Sequence, residues 1–365
     1  MVESSDKIPT LILGGGGTGG HVAAGVALAD EWKKRFQNGR VVFVGSQGGM
    51  EEKIVPRAGY PLHVLTLGSL NRVSLARKLK TLIQLPLSFW ISGRILMREH
   101  PCTVIGVGGY SSGPVVLMAR LLQPFLRARI AIIEQNAVPG FTNRALSWFA
   151  QRIFVAFPGL ESQFPAKKVL FTGNPIRSAM KPLPSAPRDP FTIFLFGGSQ
   201  GAAGINTLML EALPHLKSIQ GKLKIIHQTG EKDFERVKAG YASAGVPARV
   251  EVFIHDIVDC YSAASLLVCR AGSSTLSEIA AVGRAAILIP FPFAADNHQE
   301  KNARKFEEAG AAKVLVQSHS KGEDLAREIL EFYRHPERLN PLEKAAQAFY
   351  RPNAARDVIQ NCLET

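Results

Sequence analysis

Two glycine-rich loops of the same kind occur in the two halves of this 365-residue chain, each directly after an apolar run typical of a β-strand. The first loop, residues 14–21, follows the run 10–13. The second, residues 197–201, follows the run 191–196. A strand, a glycine loop and a helix start bring backbone N–H groups and the positive helix end close to a phosphate or a similar anion. The pair therefore predicts two nucleotide-binding α/β domains that face a cleft.

The first loop also satisfies the dinucleotide fingerprint G-x-G-x-x-G over residues 14–19. A nicotinamide-binding domain needs Asp or Glu at the end of its second strand to hold the ribose. The next strand candidate, 41–44, ends instead in Gly45-Ser46-Gln47. The sequence therefore argues against a dinucleotide-dependent oxidoreductase.

Short β-rich runs alternate with longer helical stretches, such as 23–36 and 115–123, which is typical of parallel sheets with crossover helices. In the first half the strand candidates are 9–13, 41–44, 103–107, 130–133 and 153–155. In the second half they are 191–196, 224–228, 250–253, 266–269, 286–289 and 313–316.

A proline-rich segment, with four prolines in residues 181–190, predicts a linker between domains. We therefore expect an N-terminal domain over 1–180 and a C-terminal domain over 191–345. The remaining segment, 346–365, has a helical pattern without a following strand, so we expect it to pack back toward the N-terminal domain.

Composition narrows the class of protein further. The four cysteines are scattered and form neither a C-x-x-C pair nor any metal-ligand spacing, which fits a reducing cytosol and argues against a zinc site. The first six residues are polar and acidic, unlike a signal peptide. No uncharged apolar stretch reaches the roughly 18–20 residues that span a bilayer.

The net charge of +13 belongs entirely to the first half of the chain. Residues 1–185 contain 22 basic and 9 acidic side chains, whereas residues 186–365 contain 21 of each. Between Glu52 and Glu99 there is no acidic residue, and Lys and Arg alternate there with Leu, Phe and Trp. Such a mixture suits an anionic membrane surface, although burial of the apolar members in helix packing is the simpler interpretation for most of them. No nucleic-acid-binding module is recognisable.

Eight motifs follow one another in a fixed order. They are Gly-Gly-Thr-Gly-Gly-His (16–21), Gly-Gly-Tyr-x-Ser-x-Pro (108–114), Glu-Gln-Asn (134–136), Gly-Asn-Pro-x-Arg (173–177), Gly-Gly-Ser-Gln-Gly-Ala (197–202), Arg-x-Gly-x-x-Thr-x-Ser-Glu (270–278), Pro-Phe (290–291) and Asp-x-x-Gln-x-x-Asn-Ala (296–303). In these motifs the chain closely resembles the MurG family, the bacterial N-acetylglucosaminyltransferases that make lipid II for peptidoglycan.

The resemblance implies a GT-B fold, with the acceptor on the first domain and the UDP-sugar on the second. It implies inverting transfer of GlcNAc from UDP-GlcNAc to the C4 hydroxyl of MurNAc in lipid I, at the cytoplasmic face of the membrane. The partners implied are UDP-GlcNAc, lipid I, an anionic membrane surface and other cell-wall synthesis proteins, with no cofactor. The sequence contains no Asp-x-Asp, so helix N-termini and Arg are expected to bear the leaving-group charge.

On the donor side, the resemblance assigns Glu278 to the ribose hydroxyls, the Ile254 backbone to uracil and Gln299 to the GlcNAc hydroxyls. An acidic first-turn helix residue is the alternative for Glu278, and a solvated helix face is the alternative for Gln299. The other donor-side residues expected near the diphosphate are Ser199, Ser273, Ser274, Thr275, Leu276 and Ser277.

On the acceptor side, His21 is the candidate general base, because imidazole titrates near neutral pH. Holding acceptor phosphate oxygens or capping the helix are its alternatives. Thr18, Gly19, Gly20 and Asn136 are expected to approach the sugar or the diphosphate. Arg177 can bind the diphosphate through two N–H groups, or it is an ordinary surface arginine.

Two other functions stay open at this point. A UDP-GlcNAc 2-epimerase would bind the same donor without a basic membrane-facing region. A non-catalytic nucleotide-binding subunit would not need His21, Arg177 and Glu278 together.

Overall fold

The computed structural model describes residues 8–67, 75–198 and 200–364, with the side chains of 75–82 and 166 left out of the description. The chain divides into two compact units. One comprises Met1–Ser178 and Asn353–Thr365, and the other comprises Ala179–Pro352. Residues 181–190, the expected linker, fall within the second unit.

The first unit is built on a seven-stranded parallel sheet. Its strands are β1 (Thr10–Gly15), β2 (Arg40–Ser46), β3 (Leu62–Leu65), β4 (Thr103–Gly108), β5 (Arg129–Glu134), β6 (Arg152–Val155) and β7 (Val169–Phe171). Their order is β3-β2-β1-β4-β5-β6-β7. Every residue of β1 and β4 is buried, which explains why these runs are almost wholly apolar.

Helices cross between these strands. They are α1 (Gly19–Arg35), α2 (Glu51–Arg57), α3 (Leu75–Glu99), α4 (Ser112–Leu121), α5 (Gln123–Leu126) and α6 (Phe141–Leu146). Helix α1 begins four residues before the predicted 23–36, because the Thr18 side chain caps it and Gly19 and Gly20 form its first turn.

The second unit is built on a six-stranded parallel sheet of order β10-β9-β8-β11-β12-β13. Its strands are β8 (Phe191–Phe196), β9 (Leu223–Gln228), β10 (Ala248–Glu251), β11 (Leu266–Cys269), β12 (Ala286–Leu288) and β13 (Lys313–Val314). Its helices are α7 (Ala203–Ala212), α8 (Phe234–Ala244), α9 (Ile257–Ala263), α10 (Ser273–Val282), α11 (His298–Glu308), α12 (Gly322–Arg334) and α13 (Leu339–Gln347).

The last helix, α14 (Ala354–Leu363), belongs to the first unit. Val358 and Ile359 lie in the same core cluster as Trp32 of α1, so apolar burial holds α14 on that unit. The Arg129 guanidinium donates to the Cys362 carbonyl at 3.2 Å and also to the next carbonyl, which satisfies acceptors at the helix end.

The predicted class of two parallel-sheet α/β domains is confirmed, but edge strands were harder to predict. β3 and β7 were not predicted, and β10 begins two residues earlier than expected. All three lie at sheet edges, are mostly only partly buried and are at most four residues long, so they give a weaker sequence signal than the interior strands. Within the described residues, no helix combines the length and apolar character needed to cross a membrane.

Candidate functional site

The first glycine loop connects β1 to α1 and touches the end of β4. Gly16 donates to the Gly108 carbonyl at 3.0 Å. Gly15 has φ 138°, and a Cβ built there would lie 2.3 Å from that same carbonyl oxygen. A side chain at Gly15 would therefore separate the two loops.

His21 lies in the first turn of α1, and its ring is fixed by the loop. Its Nδ1 is 3.1 Å from the Gly16 carbonyl oxygen. A carbonyl only accepts hydrogen bonds, so Nδ1 carries the hydrogen in the neutral ring and Nε2 holds the lone pair. The other side of the ring packs against Gly108, where an added Cβ would lie 2.9 Å from Nε2.

Burial lowers the pKa of His21, while the hydrogen bond to Gly16 and the charge of Glu51 raise it. The imidazole is thus held neutral at neutral pH, as a general base must be. The helix-capping alternative is wrong for its side chain, because the Thr18 hydroxyl accepts from the His21 N–H at 3.4 Å.

Asn136 follows β5 and is held by the buried carboxylate of Glu134. That carboxylate accepts from the Asn136 backbone N–H at 2.9 Å and from its side-chain amide at 3.1 Å. It also accepts from Gly140 at 3.0 Å and from Asn143 at 2.9 Å. The first unit thus gathers Thr18, Gly19, Gly20, His21 and Asn136 at the carboxyl ends of its interior strands.

Two predicted site residues, Arg177 and Ser199, have roles that the described contacts leave untested. Arg177 is exposed and follows β7 by six residues, near the end of the first unit. Ser199 lies outside the described residues, as does Arg72 of the basic region. The roles predicted for Arg177 and Ser199 stay predictions.

Glu278 lies in the interior of α10, beyond its first turn, so the first-turn alternative is wrong. Its carboxylate accepts from the Tyr261 hydroxyl at 3.0 Å, and the residue is only 7% exposed. The Tyr261 ring packs edge-on against Phe194 and Phe196. A buried carboxylate held on one side by a phenol is placed to accept further hydrogen bonds from a ligand's hydroxyl groups.

The start of α10 offers donors to an anion. Its N-cap is Gly272, which provides no side-chain cap, so the first N–H groups are not satisfied by that residue. The Ser274 hydroxyl is buried without a hydrogen-bond partner among the described residues. Leu276 is fully buried, so only its backbone can face a ligand. Residues 273–277 therefore present backbone and hydroxyl groups, the chemistry that binds a diphosphate.

Gln228 joins the second glycine loop to Ile254. Its amide nitrogen donates to the Gly198 carbonyl at 2.8 Å, and its amide oxygen accepts from the Ile254 N–H at 2.8 Å. The Ile254 side chain is buried, and its N–H is already engaged, so a backbone contact to a base would use its carbonyl.

A buried polar network connects β9 with α7 and α8. His227 Nε2 lies 2.9 Å from Asn206 Oδ1, and its Nδ1 lies 2.9 Å from the Tyr241 hydroxyl. Burial lowers the pKa of His227 to about 3, so the ring is neutral and acts as a structural hydrogen-bonding group.

Gln299 holds the loop after β12. Its amide oxygen accepts from the Phe291 N–H at 3.0 Å, so the polar group left to bind a sugar hydroxyl is its NH₂. Arg270 supports the same loop by donating to the Ile289 and Pro290 carbonyls at 3.0 Å, and burial lowers its pKa to about 10. No cluster of three or more His, Cys, Asp or Glu suited to a metal ion occurs among the described residues.

Sequence reasoning missed Glu51, Gln228 and Tyr261, which bind the glycine loops or Glu278. Glu51 stands next to Glu52 in the first turn of α2, where acidic residues are common for their effect on the helix dipole alone. Gln228 is the last residue of β9, and Tyr261 lies within α9; neither is part of a motif. None of the three carries a local signal of its role.

Family comparisons cover most of the chain. The glycosyltransferase family 28 N-terminal domain matches residues 11–155, and the C-terminal domain of the same family matches residues 192–361. A Myxococcus xanthus protein named UDP-N-acetylglucosamine--N-acetylmuramyl-(pentapeptide) pyrophosphoryl-undecaprenol N-acetylglucosamine transferase is 44% identical over 357 residues, 97% of this chain and 92% of its own. A Syntrophus aciditrophicus protein of the same name is 43% identical over 97% of this chain and 98% of its own.

Solved structures agree with the family match. The crystal structure of Acinetobacter baumannii MurG matches with a TM-score of 0.78 and 31% identity, over 98% of this chain and all of that one. This match confirms the GT-B fold expected from the sequence. A UDP-GlcNAc 2-epimerase from Neisseria meningitidis, bound to UDP-GlcNAc, matches with a TM-score of 0.68 but only 12% identity, over 98% of this chain and 100% of that one. At that identity the likeness is one of fold.

Proposed function

The chain belongs to glycosyltransferase family 28, and on that premise we propose that it transfers GlcNAc from UDP-GlcNAc to the C4 hydroxyl of MurNAc in lipid I, giving lipid II. The observation that carries the proposal is 44% identity, over 97% of the chain, to a relative named as that transferase. The environments of His21 and Glu278, each within its own unit, support it. The epimerase alternative has only a shared fold in its favour.

In the proposed reaction, His21 Nε2 takes the proton of the acceptor C4 hydroxyl while that oxygen attacks the anomeric carbon of GlcNAc. The bond from that carbon to the β-phosphate oxygen breaks, and UDP leaves with the electron pair. Inversion follows from this single displacement. The uncapped N-termini of α7 and α10, together with Arg177, are the groups proposed to stabilise the departing diphosphate.

On the donor, Glu278 is proposed to accept hydrogen bonds from the ribose hydroxyls, and the Gln299 amide to donate to a GlcNAc hydroxyl. The Ile254 carbonyl accepts from the uracil N–H. Thr18, Gly19, Gly20 and Asn136 surround the acceptor sugar and diphosphate near His21.

Release of UDP tests this function directly. The purified protein is incubated with UDP-GlcNAc, with and without a lipid I analogue. We expect UDP release that depends on the acceptor, with the disaccharide product detected by mass spectrometry. Conversion of UDP-GlcNAc to its C2 epimer without acceptor would support the epimerase instead, and no turnover under either condition would indicate a binding subunit.

We also propose that the first unit binds an anionic membrane surface. Helix α3 packs inward through small side chains: Ser88 and Ser92 are each 1% exposed, and Gly93 faces Met118 of α4. In this part of the helix the large side chains of Ile83 and Trp90 point outward, 71% and 57% exposed, whereas Ile95 and Leu96 near the end of α3 are buried. The interpretation of the apolar residues as a buried helix face is therefore wrong for Ile83 and Trp90, whereas Leu85, Phe89 and Ile91 are partly buried.

Further exposed apolar side chains and a cation lie on the same unit. Leu87 lies between Ile83 and Trp90 and is 49% exposed, and the Arg94 guanidinium lies over the Trp90 ring at 4.8 Å. Phe125 in α5 is 76% exposed. Apolar side chains beside exposed cations match the chemistry of an anionic lipid surface, where lipid I is anchored. This supports a peripheral location at the cytoplasmic face.

Binding to liposomes should rise with the fraction of anionic lipid and fall with added salt, because each basic residue near the surface contributes about 1 kcal/mol and is screened. Changing Ile83, Leu87 and Trp90 to Ser should weaken co-sedimentation without altering UDP affinity. A charge reversal in the basic region should abolish co-sedimentation. The residues changed to Glu are Arg72, Arg77, Lys78 and Lys80, whose side chains are not among those described.

The matched control changes four exposed lysines of the second unit to Glu: Lys217, Lys222, Lys232 and Lys301. This variant has the same net charge as the first-unit reversal. Equal loss of binding in the two variants would mean that net charge alone, and no particular surface, controls binding. Equal binding of the wild type to neutral and anionic vesicles would contradict the proposal.

A further inference from the structure

A fully buried carboxylate supports the first glycine loop. Glu51 has no exposed surface, although it stands in the first turn of α2. An unpaired buried carboxylate is costly, so its hydrogen bonds indicate what it stabilises. One of its oxygens, Oε2, accepts from the Gly17 N–H at 2.7 Å. The other, Oε1, accepts from the Ser46 N–H at 2.7 Å and from the Ser46 hydroxyl at 2.9 Å.

Glycines surround this carboxylate closely. A Cβ built at Gly16, Gly45 or Gly49 would lie within 2.2–2.4 Å of a Glu51 side-chain atom. The glycines therefore leave the space that the carboxylate fills, and Glu51 connects the loop after β2 with the loop after β1. Such a contact fixes the position of both loops.

The loop held by Glu51 also holds the His21 ring. Gly17 donates to Glu51, and the carbonyl of the preceding residue, Gly16, receives the hydrogen of His21 Nδ1. Among the described residues, Glu51 is the charged group whose field acts on the His21 ring, and its negative charge raises the pKa of that ring against the effect of burial.

We propose that Glu51 is a positioning residue for the transfer reaction: it fixes the first glycine loop so that the Gly16 carbonyl holds His21 with its Nε2 lone pair available to the acceptor hydroxyl. The inference rests on the proposed role of His21 as the base. Glu51 itself is buried behind the loop and does not contact the substrate.

Glu51→Gln is the sharpest variant. Each carboxylate oxygen accepts from a backbone N–H, so the amide NH₂ of Gln must face a donor in either orientation. One loop contact is therefore lost while the volume of the side chain is unchanged. Glu52→Gln is the matched control, since Glu52 is the exposed neighbour in the same turn and accepts from the Gly48 N–H, outside the contacts that hold the first glycine loop.

The first readout is independent of turnover. In protein labelled with ¹⁵N-histidine, the His21 signals are assigned by their loss in His21→Gln. We expect the wild type and Glu52→Gln to show the Nδ1–H tautomer, and Glu51→Gln to show a mixture with the Nε2–H tautomer. We expect kcat of Glu51→Gln to fall roughly 10–100-fold, as for a misplaced catalytic group, with little change in UDP affinity.

The pH profile adds a directional test. The Glu51 charge raises the pKa of His21, so removing this charge should lower that pKa and move the acidic limb of kcat to lower pH. Ser46→Ala removes one hydrogen bond to Glu51 and keeps its charge and both backbone contacts, so we expect a smaller fall in kcat and an unshifted acidic limb; it provides the test if Glu51→Gln does not fold.

A folded Glu51→Gln with the wild-type tautomer and wild-type kcat would overturn the inference. If the wild type transfers no GlcNAc, the proposed function fails. The tautomer measurement would still decide whether Glu51 controls the state of His21.

Discussion

Replacing His21 by alanine is expected to lower kcat by roughly 10²–10⁴, the contribution of a positioned general base. The ring presents an unprotonated Nε2 because Nδ1 donates to the Gly16 carbonyl. UDP affinity should barely change, because the residues proposed to bind the uridine, Glu278 and Ile254, belong to the other unit. Single-turnover kinetics with a lipid I analogue, together with calorimetry of UDP binding, measure the two quantities separately.

His21→Gln separates the role of base from that of position. Its amide can donate to the Gly16 carbonyl but cannot take a proton, so it should be as slow as His21→Ala if His21 is the base. Recovery of turnover in His21→Gln would assign His21 a positional role. His215→Ala, a change at an exposed histidine, is the control and should leave kcat unchanged.

The same assignment predicts a pH dependence. Burial lowers the pKa of His21, so the ring is neutral at pH 7 and becomes protonated only as the pH falls below the usual 6.5. The rate should therefore be flat near neutrality and decline on the acidic side. The acidic limb should disappear in His21→Ala.

Glu278→Ala is expected to weaken UDP binding by an order of magnitude or more. The buried carboxylate is the acceptor for the ribose hydroxyls in the proposed complex, and alanine leaves those donors without it and removes the hydrogen bond from the Tyr261 hydroxyl. Calorimetry with UDP measures the loss. A divalent chelator in the cell should not alter wild-type affinity.

Two variants show whether the loss is specific. Tyr261→Phe keeps the carboxylate and removes one hydrogen bond to it, so we expect a milder loss of affinity than in Glu278→Ala. Glu308→Ala removes an exposed carboxylate from α11 and should bind UDP as the wild type does. Unchanged UDP affinity in a folded Glu278→Ala would refute the assignment of this residue to the ribose.

Much of the fold could be predicted because its signals are local. Interior strands such as β8 and β11 have continuous apolar runs, and both were predicted with their observed bounds, 191–196 and 266–269. The glycine loops show where two backbone segments approach closely, as Gly15 does the Gly108 carbonyl, since only glycine tolerates such an approach. The edge strands β3 and β7 gave no such signal because they are short and half-buried.

The orientation of α3 shows a different limit. Its sequence contains Leu, Ile, Phe and Trp, so burial of these large side chains was the simpler expectation. In the structure, Ser88, Ser92 and Gly93 face inward because α4 packs close to them, and Ile83 and Trp90 are left exposed. Which face of a helix is buried depends on the neighbouring element, and that neighbour is not part of the local pattern.

The sequence by itself determined the two α/β domains, their glycine loops and the candidate His21, because strand periodicity and loop chemistry are properties of neighbouring residues. The candidate Glu278 came from the resemblance to a known family. Only the tertiary structure revealed Glu51, Gln228 and Tyr261, which bind groups 17 to 34 positions away along the chain. The tautomer of His21 was likewise decided by the Gly16 carbonyl of the folded loop. Such contacts depend on which strands and loops become neighbours in the sheet, and short-range sequence patterns do not contain that order.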